Sequence, residues 1–422
     1  MSFLAIFVVL IFVHSLISAK LERTIITSPI VFTAAGMLVF LVRPALPGGE
    51  HVEEMFLRAA EIGLVLLLFT DASRTDLQVL KRIRNLPVRL LSVGMLLTIL
   101  LGAVCALLTF RGLSLWDAGI LAAILAPTDA GLGQIIVTSP RVPMKIRQAL
   151  NVEAGLNDGL SVPFLLFFIA LDGAGAHGRE ASLGSFIVEQ LGYGMLIGVG
   201  IGLAGGCLLG LAHRRQWTGA AWQQLGLVAL PLLCAFASRP VGASMFIAAF
   251  VAGLAVQVGF KEAGSHCVEF TEEWGQLINL SVFFVFGALV AHTWKSFTVA
   301  HLLYAVLSLT LVRMLPVALA LWGTGLSRAT VLFMGWFGPR GLASIVLGLV
   351  YLEETSHPPG ESTIRLAVEA TVLFSIFAHG LSAIPGIHLY QTSLKETEAR
   401  ELGADIGEST SAEPHVVEPY VK

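Results

Sequence analysis

The sequence predicts an all-α polytopic membrane protein with about 13 transmembrane helices. Of its 422 residues, 55% are hydrophobic and only 13% are charged, and the mean hydropathy is +0.81. Soluble domains usually carry about 25% charged residues. Apolar runs long enough to cross a bilayer as helices recur along the chain with short polar breaks between them. Two of these runs contain Pro and Gly near their centres, which predicts two broken helices.

The apolar segments follow one another from the first residues to about residue 384. Three of them, the third, eighth and tenth, are shorter than a typical membrane span. The thirteen segments lie near Phe3–Ala19, Ile25–Val42, Leu57–Thr70, Leu90–Phe110, Trp116–Val137, Ile146–Leu171, Ile187–Leu211, Leu225–Ala237, Val241–Val258, Leu277–Val290, Val299–Trp322, Thr330–Tyr351 and Ala367–Ile384.

Basic residues are distributed unequally between the loops. Loops with odd numbers carry fourteen Lys and Arg residues, and loops with even numbers carry six. Because cytoplasmic loops are enriched in Lys and Arg, this asymmetry predicts an outside N-terminus and a cytoplasmic C-terminus. Lys20 and Arg23 follow the first segment and no basic stretch precedes it, so we expect a membrane helix there and not a cleaved signal peptide. The predicted location is a plasma membrane of bacterial type.

The chain divides into a membrane region, residues 1–386, and a polar tail, residues 387–422. Lys395, Glu396, Glu398, Arg400 and Glu401 open an acidic stretch that is too polar to bury a core, so we expect a disordered cytoplasmic tail. No stretch is suited to a soluble nucleotide-binding domain. The sequence predicts no cofactor and no nucleic-acid partner; membrane lipid surrounds the protein.

Two membrane segments are interrupted at comparable depth. The fifth contains Ala-Pro-Thr-Asp at 126–129, and the twelfth contains Gly-Pro-Arg-Gly at 338–341. Pro removes a backbone donor and Gly tolerates non-helical backbone, so both helices should break there. The two segments are seven crossings apart and run in opposite directions, as an inverted repeat with paired broken helices requires. In transporters built this way the ion site lies at the break.

The sixth segment places polar residues at the same depth. Glu153 and Asn157 are four residues apart and share a helix face, while Asp158 is rotated by about 100°. Charged groups in a membrane interior need partners. Arg340 is the charged residue at the centre of the other broken helix, and we therefore expect it to form a buried ion pair with Glu153.

This pairing leaves Asp158 and Asp129 without a permanent cation. A small hard cation prefers carboxylate, carbonyl and hydroxyl oxygens, and Thr128 and the free carbonyls of the break are suitable neighbours. A proton is the alternative occupant, because desolvation disfavours an ionised carboxylate. A site that accepts either Na⁺ or H⁺ describes a coupled exchanger. The two aspartates could instead join helices by hydrogen bonds alone.

These motifs together resemble the sodium/proton exchanger branch of the monovalent cation:proton antiporters, in bacterial form. The matching residues are the 126–129 motif, Asn-Val-Glu at 151–153 with Asn-Asp-Gly at 157–159, and the 338–341 motif with Ser344. The resemblance implies a homodimer in which each protomer has a dimerisation domain and a moving six-helix core domain. The core would comprise residues 88–171 and 299–386, with the dimerisation helices mainly among the rest.

The resemblance also implies roles for the site residues. Asp158 would bind the transported cation or a proton, and Asp129 and Thr128 would help to hold the cation. Asn157 would steady the broken region, while Glu153 and Arg340 would be the structural ion pair. The asparagine before Asp158, in place of a second aspartate, resembles the sequence of the electroneutral members of the family, which exchange one cation for one proton.

The sequence departs from the family pattern in ways that bear on the cation. Ala154 stands where many relatives have Ser, and Ala130 stands where many have Pro. The lost hydroxyl weakens the preference for Na⁺ over K⁺ or Li⁺, so K⁺/H⁺ exchange is the alternative within the transporter class. A passive cation channel is the alternative of another class. No Ser/His/Asp order or His-Glu-x-x-His spacing indicates an enzyme.

Other intramembrane polar residues have simpler interpretations. Asp71 is expected to be a solvated interfacial residue with a ligand role as the second possibility. His379 and Arg313 are expected to be a hydrogen-bonded packing residue and a structural charge, respectively. Glycines recur every fourth residue from Gly194 to Gly210, which indicates close helix packing or, alternatively, a subunit contact or sliding surface.

Overall fold

The part of the chain that the structure describes is built from helices. This computed structural model describes residues 3–21, 24–42, 50–74, 85–177, 188–261, 268–354 and 360–410, and every regular element within those ranges is helical. We number the helices α1 Phe3–Leu21, α2 Ser28–Val42, α3 Glu50–Arg74, α4 Asn85–Thr109, α5 Leu115–Ile124, α6 Ala130–Thr138, α7 Met144–His177, α8 Val188–Arg214, α9 Ala220–Ser238, α10 Met245–Gly259, α11 Val268–Thr293, α12 Val299–Leu309, α13 Leu311–Ala320, α14 Arg328–Trp336, α15 Leu342–Glu354 and α16 Glu361–Thr410.

The helices have the length and composition of membrane spans. Within the described ranges, eight are long and apolar enough to cross a bilayer, and four apolar helices are shorter. The first helix, α1, exposes a continuous apolar surface that includes Leu4, Phe12 and Leu16. Apolar side chains on the outside suit a lipid environment, because lipid tails solvate them without cost. The count of thirteen spans stays a prediction, as does the orientation of the termini.

Both predicted interruptions are confirmed. The fifth apolar segment divides into α5, which ends at Ile124, and α6, which begins at Ala130. The twelfth segment divides into α14, which ends at Trp336, and α15, which begins at Leu342. Five non-helical residues separate the two halves in each case, and each gap contains a Pro that has no N–H to offer the preceding turn.

A third interruption lies in a segment that the sequence predicts to be continuous. Helix α12 ends at Leu309 and α13 begins at Leu311, so Thr310 separates them. The Thr310 hydroxyl donates a 2.6 Å hydrogen bond to the carbonyl of Val306, four residues earlier. Such back-bonding competes with the helical hydrogen bond and bends helices. The sequence analysis does not anticipate this interruption. Arg313, in the first turn of α13, is buried.

The closest packing falls into two groups of helices. Helix α10 packs most extensively against α8 and α3, and α11 packs against α2. In the second group, α5 packs against α4 and α7, and α12 packs against α16. The interrupted helices belong to the second group. A division into a moving core and a dimerisation domain remains a prediction.

The glycine stripe of α8 is an internal packing surface. Gly194, Gly198, Gly202, Gly206 and Gly210 are all buried, and all face α10. A Cβ atom added at Gly206 would overlap the backbone carbonyl of Val256, so only a glycine permits this close approach. The stripe therefore serves close helix packing within the chain.

The last helix extends beyond the predicted membrane boundary. Helix α16 passes Ile387, where the sequence analysis begins the polar tail, and continues to Thr410. At 50 residues, the helix is longer than the predicted 18-residue segment Ala367–Ile384. Residues 411–422, the remainder of the tail, lie outside the described ranges.

The glycine contact allows a matched test on one helix. Gly206→Ala should lower the unfolding temperature of the detergent-solubilised protein, because overpacking against the α10 backbone costs about 1–3 kcal/mol. Gly200→Ala is the control, since a Cβ at Gly200 meets open space. Equal unfolding temperatures for the two variants would contradict the assignment of this surface.

Candidate functional site

Asp129 is the residue that begins the second half of the first broken helix. Its side-chain Oδ1 accepts a 2.9 Å hydrogen bond from the backbone N–H of Leu132, so Asp129 is the N-cap of α6. An acidic N-cap satisfies one of the free N–H groups at a helix start and complements the positive end of the helix dipole. Asp129 is 6% exposed, which leaves water little opportunity to replace these contacts.

The two breaks are hydrogen-bonded to each other. The backbone N–H of Asp129 donates to the carbonyl of Pro339 over 2.8 Å, and the N–H of Leu342 donates to Asp129 Oδ2 over 2.6 Å. Irregular backbone at membrane depth is viable only when its polar groups are satisfied by protein or by a watery cavity. Each broken helix here supplies the partners that the other one lacks.

Gly341 is required by this close approach. A Cβ atom at Gly341 would overlap the Asp129 carboxylate, and one at Gly338 would overlap the guanidinium of Arg313. The two glycines of the second motif therefore have a steric function in addition to their backbone freedom. They allow a carboxylate and an arginine to reach the break from neighbouring helices.

Arg340 does not pair with Glu153, which corrects the expected ion pair. Its guanidinium Nη1 instead donates to two main-chain oxygens of the first break, the carbonyls of Ala126 (2.5 Å) and Pro127 (2.8 Å). Arg340 is fully buried. These carbonyls lost their helical donors at the break, and the arginine replaces those donors. They are therefore engaged with Arg340, contrary to the expectation that they would complete a cation shell.

The partner of Glu153 is Arg313, which the sequence analysis treated only as a structural charge. Arg313 Nη1 and Glu153 Oε1 are 2.6 Å apart, and both side chains are at least 94% buried. Arg313 lies near the middle of an apolar segment, where a charge requires a partner by the argument applied to Arg340. That signal was present in the sequence. What the sequence does not reveal is that α13, which begins after the interruption at Thr310, lies close enough to α7 for the two side chains to meet.

Asn157 and Asp158 of α7 face the first break. Asn157 Nδ2 donates a 2.6 Å hydrogen bond to Thr128 Oγ1, which joins the helix to the centre of the break. Asp158 is 4% exposed, and its Oδ1 is a buried oxygen without a hydrogen-bond partner among the described residues. Buried polar atoms of this kind require an explanation, and an absent ion or proton is one.

Asp71 of α3 approaches the site from the other helix group. The side chain is half-buried and would touch a Cβ atom placed at Gly155 of α7. Its carboxylate also lies close enough to Asp158 for electrostatic interaction. Asp71 therefore lies beside the site, and the choice between an interfacial and a ligand role stays a prediction.

A cavity leads to the first break from one end of the molecule. It encloses ≈ 340 Å³, counting the solvent at its mouth, and its lining includes Thr128, Asp129, Asn151, Ala154 and Pro339. Asp158 is one helical turn beyond Ala154 on the same helix, so it lies deeper than the lined surface. Asn151 is exposed in the N-terminal part of α7, the end that follows a loop predicted to be cytoplasmic.

The fold and the site define a polytopic membrane protein of the transporter class, in which two interrupted helices meet at a buried acidic site. The chain belongs to the sodium/hydrogen exchanger family, because the profile of that family's transmembrane region matches residues 5–386. Its fold is similar to that of the sodium proton antiporter MjNhaP1 from Methanocaldococcus jannaschii. The TM-score is 0.72 at 19% identity, with 90% of this chain and 98% of that chain covered.

Curated relatives are similar over parts of their length. The chain is 26% identical over 272 residues to Na(+)/H(+) antiporter 2 of Zygosaccharomyces rouxii. It is 27% identical over 230 residues to the sodium, potassium, lithium and rubidium/H(+) antiporter of Bacillus subtilis. These matches cover 60% and 54% of this chain, but only 33% of each relative, so the chain spans about a third of the length of both.

The Glu153–Arg313 pair generates a test of stability. Glu153→Gln or Arg313→Gln alone should reduce yield and lower the unfolding temperature, because an uncompensated buried charge destabilises a protein by about 3–5 kcal/mol. The double variant Glu153→Gln/Arg313→Gln should recover much of that loss. Thermal unfolding of the four purified proteins measures the coupling. Independent, additive losses would show that the two side chains do not act as a pair.

Proposed function

We propose that this protein is a secondary active antiporter that exchanges Na⁺ for H⁺ across a membrane. The observation that carries the proposal is the carboxylate of Asp158, buried beside two interrupted helices with one oxygen unpartnered among the described residues. Buried ionisable groups within membrane helices mark ion or proton pathways by default. The family to which the chain belongs supports the choice of Na⁺ and H⁺.

The charge balance of the site favours a transported cation. Two guanidinium groups, those of Arg313 and Arg340, are buried in this region. The carboxyl groups that surround the break belong to Asp71, Asp129, Glu153 and Asp158. If all were ionised, the described site would carry two excess negative charges in a low-dielectric medium. A bound cation or bound protons neutralise such an excess.

Asp129, Asp158 and Thr128 have different functions in this proposal. Asp129 already accepts two backbone hydrogen bonds, so its main function is to hold the two breaks together. Its negative charge also makes the cavity more attractive to a cation. Asp158 is the group that binds either Na⁺ or H⁺. Thr128 Oγ1 has a second lone pair beyond its bond to Asn157, and it supports the cation together with Asp129.

Competition for Asp158 couples the two ions. A cation displaces the proton on one side of the membrane, the helix group containing the breaks shifts, and a proton displaces the cation on the other side. Asn157 carries no titratable proton, which supports an electroneutral exchange of one cation for one proton. The cavity supports access from the predicted cytoplasmic side, and a homodimer in a plasma membrane is expected from the family resemblance.

The identity of the cation depends on the surroundings of Ala154. This residue lines the cavity and offers a methyl group where a serine would offer a hydroxyl oxygen. K⁺/H⁺ exchange is the second candidate on this observation, and the Bacillus subtilis relative is named for several alkali cations. A passive channel is the alternative of another class, and it would not respond to an imposed pH gradient.

Asp158→Asn should abolish coupled exchange while leaving the protein folded. The measurement is the Na⁺-dependent collapse of an imposed pH gradient in proteoliposomes. Asp172→Asn is a control on the same helix, since Asp172 is half-buried near the far end of α7. Coupled exchange that survives Asp158→Asn would refute the proposal. A wild-type response to K⁺ alone would select the second candidate, and cation flux without proton movement would select a channel.

Ala154→Ser should change selectivity rather than maximal rate. The added hydroxyl oxygen suits a small hard cation, so the apparent KM for Na⁺ should fall by about three- to tenfold relative to that for K⁺. Scans of Na⁺, Li⁺ and K⁺ at constant pH measure this ratio. An unchanged ratio would mean that this position does not contact the transported ion.

A further inference from the structure

A histidine and a serine of α16 lie against the second break. His379 is 2% exposed and Ser375 is fully buried. His379 Nε2 is 2.9 Å from the carbonyl oxygen of Trp336, the last residue of α14. His379 Nδ1 is 3.1 Å from Ser375 Oγ, and Ser375 Oγ accepts a 2.6 Å hydrogen bond from the backbone N–H of Arg340.

These contacts connect the two groups that a continuous helix would join directly. In an α-helix the N–H of residue 340 bonds to the carbonyl of residue 336. The break separates Arg340 from Trp336, and the imidazole and hydroxyl groups occupy the interval between them. The chain of contacts therefore runs from the Arg340 N–H through Ser375 and His379 to the Trp336 carbonyl.

Both ring nitrogens of His379 face main-chain carbonyls. Nε2 lies 2.9 Å from the Trp336 oxygen, and Nδ1 lies 3.0 Å from the carbonyl oxygen of Ser375 in addition to its contact with the Ser375 hydroxyl. The Ser375 hydroxyl oxygen in turn accepts from the Arg340 N–H. The Trp336 carbonyl has two lone pairs, and the N–H of Gly338 occupies the second at 2.9 Å.

We propose that His379 and Ser375 are positioning residues that fix the second break, and through Arg340 also the first. The backbone of Arg340 is held by this pair, and its guanidinium holds the carbonyls of Ala126 and Pro127, next to Thr128 and Asp129. This inference rests on the proposed function, because it assigns the pair an effect on ion binding. Neither residue contacts the cavity or the carboxylate of Asp158.

Backbone protection of Arg340 tests the arrangement independently of transport. Hydrogen–deuterium exchange of the peptide 336–345 should be faster in both Ser375→Ala and His379→Phe than in the wild type. Ser375→Ala removes the hydroxyl that accepts from the Arg340 N–H, and His379→Phe removes the ring nitrogen that contacts this hydroxyl. Ser382→Ala is the matched control on the same helix. Ser382 Oγ accepts from the Trp336 indole over 2.9 Å, so it contacts the same residue without contacting the broken backbone.

Transport kinetics test the effect on the ion site. His379→Phe preserves the ring and its packing on Trp336 but removes both hydrogen bonds, so the apparent KM for Na⁺ should rise roughly tenfold with the maximal rate within about twofold. His379→Gln restores a donor toward Trp336 and should recover part of the loss. The double variant His379→Phe/Ser375→Ala should resemble the single variants, because the two residues act as one unit.

The outcomes separate the two proposals. If the wild type transports neither Na⁺ nor K⁺, but hydrogen–deuterium exchange of the peptide 336–345 is faster in the variants as expected, the positioning role of His379 and Ser375 stands and the proposed function fails. If hydrogen–deuterium exchange in Ser375→Ala equals that in Ser382→Ala, or if the effects of the double variant are additive, the positioning role is refuted. If His379→Phe does not fold, His379→Gln and Ser375→Ala decide by the same measures.

Discussion

The hydrogen bonds between the two broken helices are the constraint on which the rest of the site depends. A break at membrane depth exposes N–H and carbonyl groups that lipid cannot satisfy. Asp129, Pro339 and Leu342 join one break to the other, and Arg340 joins them a second time through the carbonyls of the first. Neither helix could be interrupted alone at this position, so the crossing is a single structural unit.

Two buried arginines contact the site, whereas the sequence analysis assigns only Arg340 to it. Arg313 neutralises Glu153 through a side-chain ion pair, and Arg340 serves main-chain carbonyls. A buried ion pair costs desolvation of both partners, and removal of either partner leaves the other uncompensated. Glu153 and Asp158, five residues apart on α7, each keep one buried carboxylate oxygen without a hydrogen-bond partner among the described residues, and Arg313 pairs with the other oxygen of Glu153.

Much of this arrangement could be predicted from local sequence. Pro and Gly identify both interruptions, since backbone chemistry acts within a few residues, and the glycine stripe identifies the α8–α10 contact. The pairing of Glu153 could not be obtained in the same way. It depends on tertiary packing that brings α13, beyond the interruption at Thr310, to α7. Single-sequence patterns do not specify which of two buried cations reaches a given acid. For the same reason His379 could be recognised as hydrogen-bonded, but its position across the second break could not.

The capping of the breaks also has an electrostatic consequence. Helices α6 and α15 both begin at the crossing, and helix starts carry partial positive charge, while α5 and α14 end there with partial negative charge. Asp129 lies at both starts, and Arg340 lies at the end of α5. Three of these four helix ends thereby meet a side chain of opposite charge, and the carbonyl of Trp336 at the end of α14 contacts His379. Because the protein itself partners the helix ends at the crossing, we expect the sign and number of ions admitted to depend on the remaining carboxylates.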